Sequence, residues 1–509
     1  MGRRIVLALL ILTLSVVSLS AQSRPRDRRK AVRKIGYVLN YLQQNYIDEV
    51  PLDTLVEAAL VAMFDKLDPH SRYLPASEMQ NMQRVLRSQF AGVGISYTML
   101  RDTLIVRRII EGSPAEGAGL QYGDRITSID NCSIVGIERD SITHLLRGER
   151  GTTINLGILR RSDNTLHSVE ITRDHIASPS IVASMMLNDT TAYIRISNFA
   201  RNTLQDFRRA LATMNDYNSL IIDLRGNSGG LILSVIDICG IFLPANTLIT
   251  TTEGRKVPTK EYRTKLNGEL CDIPLAVLID EESASASELF AGAMQDNDRA
   301  VVIGRTSFGK GLVQRLINLG DDTGMAVTRA RYKTPSGRVI QRPYAKGDKE
   351  GYYNTRNRYN HQDSIANSER EIYYTLNEHR EVYGGGGITP DIYVAAQNID
   401  TASYMGRALS HGLIEEVAID YFDRVGYAKF MECYPTADVF TEHFALDDQS
   451  RSLIQNVLHD TEPSSKEQLW LSDMIRAYIA RDIFGEEAYI SIYMGYDEPL
   501  IRALELHKR

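Results

Sequence analysis

Between Glu282 and Glu288 the chain reads Glu-Ser-Ala-Ser-Ala-Ser-Glu, and at Gly309 to Gln314 it reads Gly-Lys-Gly-Leu-Val-Gln. Small hydroxyl residues after an apolar strand are thereby paired with one lysine in a glycine-flanked turn. A serine hydroxyl is a poor nucleophile until a base takes its proton, and a lysine serves as that base when burial lowers its pKa towards neutrality. No His/Asp partnership is needed, and the pattern predicts a serine/lysine hydrolase. Of the three serines, Ser285 falls at the junction between a strand ending near Asp280 and a helix beginning near Ala286. Such a junction exposes a hydroxyl at the strand's end and aims helix N–H groups at the reacting carbonyl. Ser283 is expected in the loop and Ser287 inside the helix, as packing or capping residues. Lys310 has no acidic neighbour nearby in sequence to hold its charge. An exposed lysine titrates at about 10.4 and is useless as a base at neutral pH, so this chemistry demands burial.

An acyl intermediate also needs an oxyanion hole. The N–H of Ala286 is one donor by position, and the loop Gly226-Asn227-Ser228-Gly229-Gly230 offers the other through Gly229 or Gly230. That loop lacks the Gly-Lys-Ser/Thr ending of a phosphate-binding P-loop. Ser307-Phe308-Gly309-Lys310 spells an SxxK motif, but Gly309 and Gly311 disfavour the helix that motif requires, and Lys333-Thr334-Pro335 departs from the KTG that accompanies it. The histidines show no HExxH spacing and the four cysteines no CxxC pairing, so neither a metal site nor a cofactor is expected.

These residues need elements to hold them. Ala192 to Ile196, Leu220 to Leu224 and Leu275 to Asp280 read as buried strands; Leu204 to Met214 and Ala286 to Met294 read as the helices between and after them. The alternation argues for an α/β core with its working residues at strand ends. Val32, Ile35, Val38, Leu39, Leu42 and Tyr46 recur at helical spacing near the amino terminus, and a second helix follows Pro51. Residues 343 to 368 are polar and aperiodic and read as an exposed loop or insertion. Beyond about Ala396 helical patterns dominate, including Ile414 to Phe422 and Leu469 to Ile483. The fold class expected is therefore a multidomain α/β protein with helical amino- and carboxyl-terminal regions: 22–86 helical, 176–395 the core, 396–509 helical.

The SASASE and GKGLVQ segments resemble the carboxyl-terminal processing peptidases, also called tail-specific proteases. So do Asp223-Leu224-Arg225-Gly226-Asn227-Ser228-Gly229-Gly230, Thr334-Pro335-Ser336-Gly337-Arg338 and Gly384-Gly385-Gly386-Gly387-Ile388-Thr389-Pro390-Asp391. The likeness runs from about Leu67 to Asp391. It implies a serine endopeptidase with Ser285 as nucleophile, Lys310 as general base and Gln314 orienting the lysine. Leu67 to Leu74 resembles the family's LDPHS signature, which implies that His70 braces the core. Asp223, Arg225 and Asp296 are expected to be structural. Gly112-Ser113-Pro114-Ala115-Glu116-Gly117-Ala118-Gly119-Leu120 with Gly123-Asp124-Arg125-Ile126 resembles a PDZ domain of the bacterial protease type, which places an inserted β-rich PDZ-like domain at 87–175. Gly92, Val93, Gly94 and Ile95 would then form its carboxylate loop, since consecutive N–H groups nest an anion while the tail adds a strand to the sheet edge. Arg147 matches an arginine that in the family can reach the protease core when a tail is bound. The partners implied are protein or peptide substrates with free carboxyl-terminal tails, with a homo-oligomer or an envelope adaptor protein as further partners to test.

At 509 residues, with 43% hydrophobic and 24% charged residues, the composition is that of a globular chain, and the net charge of −6 speaks against nucleic-acid binding. Residues 1 to 21 carry two arginines, an apolar run and small residues at Ser20-Ala21, the anatomy of a signal peptide. Export to the periplasm or cell envelope is expected, an uncleaved membrane-associated leader being the alternative. A proteolytically inactive PDZ scaffold or chaperone is the competing function; intact Ser285, Lys310 and Gln314 argue against it.

Overall fold

The computed structural model describes residues 24–508 apart from 88, 101, 162, 355–369, 398 and 461, so the leader lies outside the described residues. A six-stranded sheet runs in the order Ile181–Met186, Thr191–Ile196, Ser219–Asp223, Leu275–Ile279, Val301–Gly304, Ile392–Tyr393. Its first pair is antiparallel and the rest are parallel. Strands buried on both faces read as continuous apolar runs, and Ser219–Asp223 and Leu275–Ile279 are buried at every position. Alternate residues divide between two layers. Ile194, Ile222 and Val277 face a core with Phe207, Phe242 and Phe290 from the helices Thr203–Ala212, Ile232–Phe242 and Ala286–Asp296.

Tyr193, Ile221, Ala276 and Leu278 face the other way and pack with Ile490, Leu500 and Ala503. The helices Glu486–Tyr493 and Glu498–His507 at the carboxyl end of the chain therefore cover the second face of the sheet. The rest of the carboxyl-terminal region, including Leu413–Val425 and Ser465–Phe484 with Trp470, builds its own aromatic core. The helices follow the periodicity expected for them, with ends displaced by a few residues.

A second sheet, all antiparallel, joins Arg72–Leu74, Gly324–Lys333, Leu248–Gly254 and Val257–Arg263, with Leu312–Asn318 also paired to Gly324–Lys333. The β-rich domain stands on a stem in which Gln89–Gly92 pairs with Asp174–Ala177, so the chain enters and leaves it side by side. Arg107 in its strand Thr103–Ile109 is buried and donates through Nε to Asp482 Oδ2 at 2.7 Å, with Glu415 at 3.3 Å. Arg125 forks onto Asp423 at 2.7 and 2.6 Å. These pairs fasten the domain to the carboxyl-terminal helices.

The stretch 343–368 departs from the loop expected there. Lys349–Asn354 is helical and buries Tyr352, because that ring packs against His70 and Arg342; residues 355–368 lie outside the described residues. The far end of helix Ala286–Asp296 is pinned by an ion pair with neither side chain exposed: Arg338 Nη2 donates to Asp296 Oδ1 at 2.6 Å. Ser336 donates to Asp296 Oδ2 from its amide at 3.0 Å and its hydroxyl at 2.6 Å. Breaking a buried pair strands a charge at a cost of about 3–5 kcal/mol. Arg338→Met should accordingly lower the urea midpoint of the α/β core by that equivalent, and an unchanged midpoint would show that the pair does not pin the helix.

Candidate active site

Ser285 sits where strand Leu275–Ile279 gives way to helix Ala286–Asp296, at φ 56° and ψ −108°. A non-glycine residue in this region is strained and persists only where its surroundings hold it there. Three sets of bonds do so. Ala284 N donates to Asn227 O at 3.0 Å, Ser285 N donates to Glu288 Oε2 at 2.8 Å, and Tyr332 Oη donates to Ser285 O at 2.9 Å.

The three serines separate by what their hydroxyls do. Ser283 Oγ donates to Leu224 O at 2.8 Å and Ser287 Oγ to Asn227 O at 2.8 Å, both fully buried. Ser285 is half-buried, and no acceptor takes its hydroxyl proton among the described residues. Ser307 Oγ donates to Glu288 Oε1 at 2.6 Å and accepts from Ile388 N at 2.7 Å, in a segment that is not helical, so the SxxK arrangement is not formed.

Lys310 occupies the turn before strand Leu312–Asn318. Its pKa is lowered from the ordinary lysine value, first by burial and then by the positive charge of Arg72, against the opposing pull of Glu288 and Asp68. Two residues to which the sequence assigned no role tie it to Ser285. Glu288 is wholly buried, and its Oε2 accepts both Ser285 N and Lys310 N at 2.8 Å, while Oε1 accepts Gly309 N at 2.6 Å along with the Ser307 hydroxyl. Burial raises the Glu288 pKa while these donated bonds oppose the rise. Tyr332 Oη reaches Lys310 O at 2.7 Å as well as Ser285 O. The spacing Ser285-x-x-Glu288 has the form of a helix capping box, which is the sequence signal that could have singled out Glu288; Tyr332 and Tyr352 carry none.

The glycine-rich loop answers which amide is available. Gly229 N donates to Asn227 Oδ1 at 2.8 Å, whereas the amides of Gly230 and Ala286 meet no acceptor among the described residues. Gly229 is nonetheless indispensable to the fit: a Cβ there would stand 2.7 Å from Ala284 O and 2.9 Å from Ala286 N. Asp223 and Arg225 are structural. Arg225 Nη2 meets Asp223 Oδ2 at 2.6 Å, and Arg225 forks onto Asp497 at 2.7 and 2.8 Å.

Gln314 differs from expectation. Its amide nitrogen donates to the backbone carbonyl of His70, and no hydrogen bond joins it to the Lys310 ammonium among the described residues. The strand's bulge between Val313 and Gln314 turns the side chain towards the Leu67–Leu74 segment instead. His70 is no base in this setting. Burial, reinforced by the charge of Lys310, holds its pKa down to about 3, and its Nε2 lies 3.0 Å from Tyr352 Oη. Asp68 accepts from His70 N, Ser71 N and Thr328 Oγ1 at 2.9–3.1 Å, so the segment braces strand Gly324–Lys333.

In the β-rich domain the carbonyls of Val93 and Gly94 accept from Ala115 N and Ile110 N, each at 2.9 Å. The amides of Val93 and Gly94 meet no acceptor among the described residues. Gly92 closes the stem strand and Ile95 opens the strand Ile95–Leu100. Gly94, at φ +88°, admits no Cβ because Ser113 Cβ lies 2.2 Å from that position. Arg147 caps helix Arg139–Leu146 and reaches Asn81 at 3.3 Å on helix Ala76–Arg87.

Residues 190–351 match the model of Peptidase family S41, and residues 91–172 match that of the PDZ domain. The carboxy-terminal-processing protease of Bartonella bacilliformis is 32% identical over 318 residues, covering 61% of this chain and 73% of that protein. The carboxyl-terminal-processing protease of Synechocystis sp. is 35% identical over 312 residues, 59% of this chain and 72% of that protein. That of Picosynechococcus sp. is 31% identical over 322 residues, 58% and 77%.

Proposed function

The chain belongs to the carboxyl-terminal-processing proteases, serine peptidases of family S41 that carry a PDZ domain, and from that premise we propose how it works. It is an exported endopeptidase that recognises the carboxyl-terminal tails of proteins through its PDZ domain and cuts near that end with a Ser285/Lys310 dyad. The observation that carries this reading is the shared Glu288 oxygen: it accepts the amides of both Ser285 and Lys310, at a strained elbow whose hydroxyl donates to no acceptor among the described residues.

The neutral Lys310 amine takes the Ser285 proton as Oγ attacks the scissile carbonyl. Ala286 N–H and Gly230 N–H, with Gly229 pressed against the elbow, receive the oxyanion. Lys310 then protonates the leaving amine and activates the water that releases the acyl group. Gln314 acts as a positioning residue through the His70 carbonyl rather than on the ammonium. The open amides of Val93 and Gly94, between Gly92 and Ile95, receive the tail carboxylate, and Arg147 links the domain to the protease side through Asn81.

The base sets the sign of the pH dependence. Only deprotonated Lys310 can accept the proton, so turnover rises with pH through its pKa, with a midpoint below the ordinary lysine value because burial disfavours the ammonium. Chelators have no effect. A rate that stays flat across that range, or complete inhibition by a chelator reversed by zinc, would overturn the metal-free dyad. Amidating the tail removes charge-assisted bonds and should weaken its binding by about tenfold.

A further inference from the structure

Among the described residues the strand Ile95–Leu100 is an edge of the PDZ sheet, paired only with Thr103–Ile109. Ile95, Tyr97 and Met99 share its inner face and pack against the domain core, across from helix Arg139–Leu146. Tyr97 does more than pack. Its hydroxyl lies 2.6 Å from Thr143 Oγ1 and 3.2 Å from Arg139 O, both on that helix. Thr143 Oγ1 also lies 2.9 Å from Arg139 O, so the two hydroxyls and that carbonyl form one hydrogen-bonded cluster. The Arg139 guanidinium stands 5.7 Å from the centre of the same ring, on the exposed side. One side chain thus bridges the edge strand and the facing helix, and a tail adding as a strand along that edge must run between the two.

We propose that Tyr97 is a latch across the tail groove: its hydroxyl must leave Thr143 and the Arg139 carbonyl before a tail strand can enter, so the latch sets the affinity that a tail has to reach. This rests on the tail-recognition reading above. Breaking a neutral hydrogen bond subtracts from binding, and removing it beforehand restores that loss. In Ser285→Ala protein, a peptide ending in leucine with a free carboxylate is titrated beside its amide, with the groove intact and with Tyr97→Phe, Thr143→Val or both. Tyr97→Phe keeps the ring and its packing, and it should tighten binding of the free acid by about 3- to 10-fold. Thr143→Val leaves the Tyr97 hydroxyl its bond to the Arg139 carbonyl, so it should tighten binding no more than Tyr97→Phe does, and the double variant should match Tyr97→Phe alone. Unchanged or weakened binding in both single variants overturns the latch, even where the free acid is preferred over the amide. Equal affinity for acid and amide with the groove intact overturns tail recognition itself and takes the latch with it.

Discussion

Ser285→Ala protein should show no peptide-bond cleavage against a denatured protein carrying a free apolar tail, with turnover reduced by about 10⁴-fold or more. Lys310→Ala should match it. Neither residue is chemically competent alone: the hydroxyl is not acidic enough to attack without a base, and the amine abstracts nothing unless the hydroxyl is placed beside it. The double variant should therefore be no worse than either single one. Ser283 and Ser287 cannot stand in, since their hydroxyls are committed to Leu224 O and Asn227 O in the buried floor of the elbow. Lys310→Arg should fail as well, because a guanidinium does not deprotonate in proteins. Near-normal turnover by Ser285→Ala protein would show that the nucleophile lies elsewhere.

The second large effect falls on a residue that touches no substrate. Glu288→Gln should lower kcat by about 10²- to 10³-fold while circular dichroism and solubility stay unchanged. The carboxylate accepts from Ser285 N, Lys310 N, Gly309 N and the Ser307 hydroxyl. A glutamine has one acceptor oxygen, and its NH2 would face two of those donors. Donors left unpaired in a buried site cost about 1–3 kcal/mol each, so the elbow and the lysine turn would shift apart to relieve them. Separation of nucleophile and base is what the rate reads. Glu288→Gln retaining kcat within about twofold would mean that the dyad is held by the surrounding sheet and not by this carboxylate.

Asp497 gives the carboxyl-terminal helices a defined place beside this machinery. Through Arg225 it anchors the start of the loop that carries Gly229 and Gly230, while Asp482 holds the PDZ strand through Arg107. The stretch from Asp482 to Asp497 therefore contacts both the PDZ domain and the edge of the candidate active site. Neither family match extends into it, since both end by residue 351.

What could be read in the amino-acid sequence was local. A strand followed by Ser285 and a helix, a lysine between glycines, the Gly92–Ile95 turn before an apolar strand, and the alternation of strand and helix across the core are patterns within short windows. Backbone geometry and periodicity act over that range, and those elements are where they were expected. What only the tertiary structure decided were pairings between residues far apart in the chain. Nothing local to Gln314 tells that its amide will meet His70 O, 244 residues away, instead of the lysine four residues before it. Tyr352 lies in a polar, aperiodic stretch, yet it is buried because His70 and Arg342 await its ring. Whether Gly229 or Gly230 keeps an open amide depends on which way Asn227 turns its side chain, and that is set by Ile196 O accepting from Asn227 Nδ2 at 2.8 Å. The last two helices fall in a region the sequence marks only as helical, but the second face of the sheet needed an apolar cover, and their side chains supply it. A hydrogen bond is selected by the distance and angle between two groups in space. That distance exists only once the intervening chain has folded, so the sequence could name the candidate reacting groups while the fold alone chose the groups that hold them.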